Sequence, residues 1–106
     1  MKKQLLPIIE GFYKSWVYNM IIHHELEEVM IQKVPVGSVF EHYRGMRYEI
    51  LSIGRHSESE DLHVVYQALY SDPVFGDRAI WIRPLAMFLE EIELNGKKTQ
   101  RFRRVA

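Results

Sequence analysis

At 106 residues, with 47 % apolar and 26 % charged side chains, the chain has the size of one domain and can bury a core without staples. Its 14 basic and 14 acidic residues cancel, so no global field draws the molecule onto nucleic acid or anionic lipid, and any electrostatic partner must be chosen by a local patch. The absence of cysteine excludes disulfides, thiolate nucleophiles and cysteine-based zinc sites, and suits a reducing compartment.

Lys2 and Lys3 precede apolar Leu5 to Ile9 as they would in a signal peptide, but Glu10 interrupts the run and no small-residue cleavage site follows. The uncharged stretch from Ser15 to His24 is too short to span a bilayer. A cytoplasmic, untargeted protein is expected.

From Pro7 to Lys33 the only interior breaker is Gly11, and Pro35 disfavours helix at Val34. Leu5, Ile8, Ile9, Phe12, Trp16, Leu26 and Met30 share one side of a helical wheel, while Val17 and Ile21 fall almost opposite. A helix of that length reaches about 40 Å, longer than a small barrel is wide, and is apolar nearly all round in its middle. A partner for the second face is expected, most simply another copy of the chain, giving a homo-oligomer through residues 5–31. A break near Asn19 that folds two short helices onto one body is the alternative. Residues 1–34 thus read as a helical extension and residues 35–106 as a β domain.

After Pro35 the pattern changes to period two. Val39 to Tyr43 and Arg47 to Gly54 flank Arg44-Gly45-Met46, a tight hairpin with glycine in the left-handed position. Arg55 to Asp61 reads as polar loop, His63 to Tyr70 as strand, Ser71 to Asp77 as a turn-rich loop, and Ala79 to Arg83 as strand. Pro84 to Phe88 suggests one helical turn. Ile92 to Leu94 and Thr99 to Arg103 flank Asn95-Gly96, a strong hairpin signal. Five or six short antiparallel strands with tight turns suggest a small, strongly bent barrel, so the fold class is mainly β with an N-terminal α-helical extension.

The run Val39-Phe40-Glu41-His42-Tyr43-Arg44-Gly45 is followed by Tyr48-Glu49-Ile50-Leu51, Arg55-His56-Ser57-Glu58, Val65-Tyr66 with Leu69-Tyr70, Trp81-Ile82-Arg83-Pro84 with Phe88, and Arg101-Phe102-Arg103. Together these resemble domain-of-unknown-function family 1653, a small bacterial family, over about Val36 to Val105. The resemblance implies an SH3-like β-barrel and brings no established activity. It leaves the helix before Pro35 unexplained.

Strand parity supplies the main candidate site. Ile80 and Ile82 point away from Trp81 and Arg83, and Val65 and Leu69 point away from Tyr66 and Tyr70. If the branched aliphatics fill the barrel, then Tyr66, Tyr70, Trp81 and Arg83 form an outer surface, joined by His42, Tyr48 and His56 as ligand-binding candidates. Aromatic rings beside arginine suit binding hot spots, base stacking and cation–π contacts, and the ligand expected is a peptide, a nucleotide or a short RNA. Rings that merely complete the core, or pack under the helix, are the structural alternative.

His56-Ser57-Glu58 contains the parts of a nucleophile system, although adjacent side chains of an extended strand diverge, which leaves His56 and Glu58 as weak catalytic candidates. Convergence of His42, His56 and Glu58 would instead make a small hydrolase or metal-dependent enzyme. No metal or cofactor is assigned. His23 and Glu27 have ligand spacing, but His24, Glu25 and Glu28 make the segment an ordinary charged helical end. Lys97, Lys98, Arg101, Arg103 and Arg104 with Phe102 suggest phosphate contact, against a solvated edge strand neutralised by Glu90, Glu91 and Glu93. A structural accessory subunit is the remaining possibility.

Overall fold

The structure is a computed structural model that describes the backbone of residues 7–106 and the side chains of residues 16–106. Helix α1 (Pro7–Gln32) is continuous, so the alternative break near Asn19 does not occur. Its last turn tightens as Lys33 N donates to Met30 O at 3.1 Å and Val34 N to Ile31 O at 3.0 Å, which satisfies carbonyls the helix would otherwise leave open. Pro35 then stops it, and the Ser38 hydroxyl donates to the Pro35 carbonyl to turn the chain into the first strand.

The strands follow as β1 (Val39–His42), β2 (Arg47–Arg55), β3 (Leu62–Ala68), β4 (Ser71–Asp72), β5 (Gly76–Asp77) and β6 (Ile80–Pro84); after a helical turn, α2 (Leu85–Phe88), come β7 (Glu91–Leu94), β8 (Lys97–Gln100) and β9 (Phe102–Arg104). Five of them form an antiparallel sheet in the order β6-β3-β2-β1-β9, while β4-β5 and β7-β8 are separate two-stranded hairpins. The fold is therefore mainly β with an N-terminal helix, but β6 and β9 are opposite edges that do not pair, and no closed barrel forms.

Two of the expected turns form with left-handed residues where the sequence places them. Gly45 has φ 103°, and Asn95 and Gly96 have φ 53° and 78°, the double left-handed turn that matches strand twist. Other expectations need correction. The segment expected as turn-rich loop from Ser71 to Asp77 closes as the β4-β5 hairpin, with Ser71 Oγ donating to Asp77 Oδ1 at 2.7 Å. The strand expected from Thr99 to Arg103 is broken at Arg101, whose N–H donates to Glu90 O at 3.1 Å. Beyond that bend Phe102 turns into the core, and the chain, which had paired with β7 as β8, pairs with β1 as β9.

The expected polarity of the sheet is inverted. Alternation does separate Tyr66 and Trp81 from Val65, Ile80 and Ile82, but it is the rings that face the core, beside Tyr48, Ile50, Val64 and Ala68, with Trp81 packed against them. Ile80 and Ile82 lie on the other side, 58 % and 67 % exposed. Rings win the interior because one curled sheet must fill its own hollow. Phe88 and Phe102 stack at 4.1 Å, Phe40 meets Phe88 edge-on at 5.2 Å, and Tyr66 meets both Phe88 and Phe102. Tyr48 and Tyr70 tolerate this burial by sharing a 2.6 Å hydroxyl–hydroxyl hydrogen bond. β-Branched residues are favoured in strands whether covered or not, so their presence did not mark the inside.

Candidate functional site

The β1-β2 hairpin, β6 and β9 enclose an open cavity of about 240 Å³ lined by His42, Arg44, Met46, Tyr48, Tyr66, Trp81, Arg83 and Phe102. Its position follows from the open sheet. The β1-β2 turn supplies His42, Arg44 and Met46, the centre supplies the two tyrosines, and the unpaired edges β6 and β9 supply Trp81, Arg83 and Phe102. Five residues expected from strand parity and histidine placement thus meet in one hollow: His42, Tyr48, Tyr66, Trp81 and Arg83. They meet on the core side of the sheet, not on its outer surface.

Tyr70 stands behind this wall, bonded to Tyr48. His56 is elsewhere, in a separate cavity of about 200 Å³ with His63, Val65 and Ile82. Its Nδ1 accepts from the main-chain N–H of Glu58 and of Ser59, both at 3.2 Å, so it serves as the cap of a turn. Ser57 Oγ donates to the Glu58 carboxylate at 2.6 Å rather than to histidine. The parts of a nucleophile relay are present in this loop without the hydrogen bond that would join hydroxyl to base. His42 and His56 line different cavities, and among the described residues no group of three or more His, Asp or Glu side chains could hold a metal ion.

Arg44, Met46 and Phe102 complete the cavity beyond the residues expected there. In the sequence Arg44 and Met46 are turn residues beside Gly45, and their nearness to His42 is the signal that ties them to the site. Phe102 enters through the cross-sheet register His42↔Phe102, which joins residues far apart in the chain and leaves no local trace.

The cavity is electrostatically one-sided. Arg44 and Arg83 both reach it and, among the described residues, no carboxylate lines it. The Arg83 guanidinium lies 5.4 Å over the Phe102 ring and its Nε donates to Tyr66 Oη at 3.3 Å, which fixes the charge in place. His42 Nδ1 accepts from the Arg44 main-chain N–H at 3.2 Å, so its proton is carried on Nε2. Burial, followed by the charges of Arg83, Arg44 and Arg101, holds His42 below the ordinary histidine range and keeps the ring neutral at neutral pH. Burial and the bond to Tyr70 push the Tyr48 phenol far up, so it is a hydroxyl and not a phenolate. Trp81 Nε1 is buried with no hydrogen-bond partner among the described residues.

A second, larger hollow of about 420 Å³ lies between the main sheet and the β7-β8 hairpin, where Glu41 and Glu91 accompany Lys98 and Arg103. Here the C-terminal basic cluster is largely answered. Arg103 bonds Glu41 at 2.8 Å, Arg101 bonds Glu90 at 3.1 Å, and Lys98 stands opposite Glu93 in the hairpin.

The family described as Protein of unknown function (DUF1653) matches residues 38–104, more than half of the chain and the whole of the cavity wall. The chain belongs to this family. A crystal structure of a DUF1653 protein from Bordetella bronchiseptica is similar to it with a TM-score of 0.60 and 28 % identity, covering 71 % of this chain and 91 % of that one. Two curated proteins, tRNA pseudouridine synthase D from Vibrio vulnificus strains YJ016 and CMCP6, are each 24 % identical over 84 residues, which is 79 % of this chain. The chain spans about a quarter of the length of these curated relatives. The helix before residue 38 lies outside the family match.

Proposed function

We propose that this DUF1653 chain is a non-enzymatic, SH3-like binding module, and that its cavity takes one nucleotide of a single-stranded RNA. The carrying observation is that two arginines, a neutral histidine and four aromatic rings share a hollow from which carboxylates are absent. Its volume of about 240 Å³ is below the 300 to 1,000 Å³ of drug-sized sites, so it admits one planar group and not an extended cofactor. Trp81, the lining ring left partly exposed, offers a flank on which any base can stack, while Arg44 at the exposed rim offers a guanidinium to the neighbouring phosphate. The likeness to proteins named for action on tRNA supports the RNA version over a peptide, and the curated relatives' own activity is not carried over. The hydrolase reading finds no support in the His56 loop, where the imidazole already accepts main-chain protons.

Fluorescence titration of the full chain with short single-stranded oligonucleotides tests this. Affinity should fall steeply as salt rises, as expected when phosphates release counterions, and should drop about tenfold in Arg44→Ala, an exposed position whose loss leaves the core intact. Absence of binding at low salt to every oligonucleotide composition would remove the proposal.

A further inference from the structure

Arg83 is the half-buried arginine of the cavity, and β6 delivers it there together with Trp81. The register pairs Arg83 with Val64 and Trp81 with Tyr66, and residues two apart on a strand share a face, so both side chains enter the hollow from its concave side. Once inside, Arg83 is fixed by the donation of its Nε to Tyr66 Oη and by the Phe102 ring beneath its guanidinium. These contacts occupy one edge and one face of the group. The forked end, Nη1 and Nη2, has no hydrogen-bond or ion-pair partner among the described residues. Elsewhere Arg47, Arg55, Arg101 and Arg103 each bond a glutamate, so the bare fork of Arg83 is set apart from them although it is more buried than most surface arginines.

The other polar side chains of the lining have the same donor character. His42 Nδ1 is taken by the Arg44 main-chain N–H, which leaves an N–H on the opposite nitrogen. Tyr66 Oη is occupied by Arg83 and Tyr48 Oη by Tyr70, and the Met46 sulfur accepts only weakly. A group that enters must therefore bring the acceptors, and two of them side by side to match the fork.

We infer, on the strength of the nucleotide reading above, that the base held in the cavity is guanine, with Arg83 reading its O6 and N7 edge and Trp81 flanking its face. Guanine carries these two acceptors next to each other, which is the pattern a guanidinium fork fits. Adenine puts an amino group in place of O6 and cytosine presents an amino group as well, so each would set N–H against N–H; uracil offers O4 alone. A phosphate is the other acceptor-rich part of RNA, but it is strongly hydrated and meets Arg44 at the exposed rim, whereas the Arg83 fork lies between Tyr66 and Phe102, where a neutral base edge is the less costly group to dry.

Fluorescence titration of the full chain with short uridine oligonucleotides that carry one guanosine, inosine, 7-deazaguanosine, adenosine or cytidine separates these cases. Guanosine and inosine, which both keep O6 and N7, should bind alike and about tenfold or more tighter than adenosine or cytidine, while 7-deazaguanosine, which lacks N7, should lose most of that advantage. Arg83→Lys keeps the charge without the fork and should bring guanosine down to the level of adenosine, with an unchanged near-ultraviolet dichroism reporting that the rings stay packed. The analogue series uses the unaltered chain and decides the matter even where the variant fails to fold. Equal affinity for guanosine and adenosine, or undiminished binding of 7-deazaguanosine, would overturn the guanine assignment and leave the RNA reading standing. Binding to no oligonucleotide would remove both.

Discussion

The two faces of the five-stranded sheet come from one alternating pattern and hold opposite chemistries. The concave face is a cluster of interlocked rings whose hydroxyls find one another and whose open edge admits arginine and histidine. The outer face carries β-branched aliphatics with little above them. The contrast teaches that in a small curled sheet the interior is assigned by the volume to be filled. Hydropathy ranks isoleucine above tyrosine, but a single layer that closes on itself needs long rigid side chains to reach its own axis.

The largest test of that contrast is Phe88→Ala. Phe88 is fully buried and stacked on Phe102, and its truncation should cost about 3 to 5 kcal/mol in denaturant unfolding, enough to threaten the fold. A loss under about 1 kcal/mol would mean the rings do not form the core.

A subtler effect comes from His42. Its pKa is held down by burial and by neighbouring arginines, so the folded state favours the neutral ring. The associated stabilisation is complete above the ordinary histidine pKa and is lost as pH falls through the depressed folded value. A proton NMR titration should place His42 below the ordinary histidine range, and Arg44→Ala should move it upward. An unshifted or raised value would show that the cavity is neither dry nor basic.

The smallest effect should appear on the outer face. Ile82→Thr removes apolar surface that is already exposed, and unfolding should change by no more than about 0.5 kcal/mol. A loss comparable to that of Phe88→Ala would indicate that another surface covers Ile82.

These faces also show what could be read in advance. The helix, the Gly45 and Asn95-Gly96 turns and the division of each strand into two sets were legible because each rests on local chemistry: proline and glycine positions, left-handed turns and side-chain alternation. The choice of inside was not local, and neither was the pairing of β9 with β1 that brings Phe102 to His42. Five of the seven named site residues converge because they share the concave face or the hairpin beside it. His56 fails to join them because it lies in the loop beyond β2 and is occupied in capping it.

Between Ile50 and Ser52 the pairing of β2 with β3 slips by one residue. Upstream, even-numbered residues face the core; downstream, Ile53 takes that side and Arg55 with it, which is the side on which Glu27 waits. One extra residue therefore sets the direction in which the helix is held, as a spacer sets the angle of a bracket. Were Leu51 instead paired in unbroken alternation, Ser52 would face the core and Arg55 would turn outward, unfastening the helix from the body without touching either member of the Arg55–Glu27 ion pair.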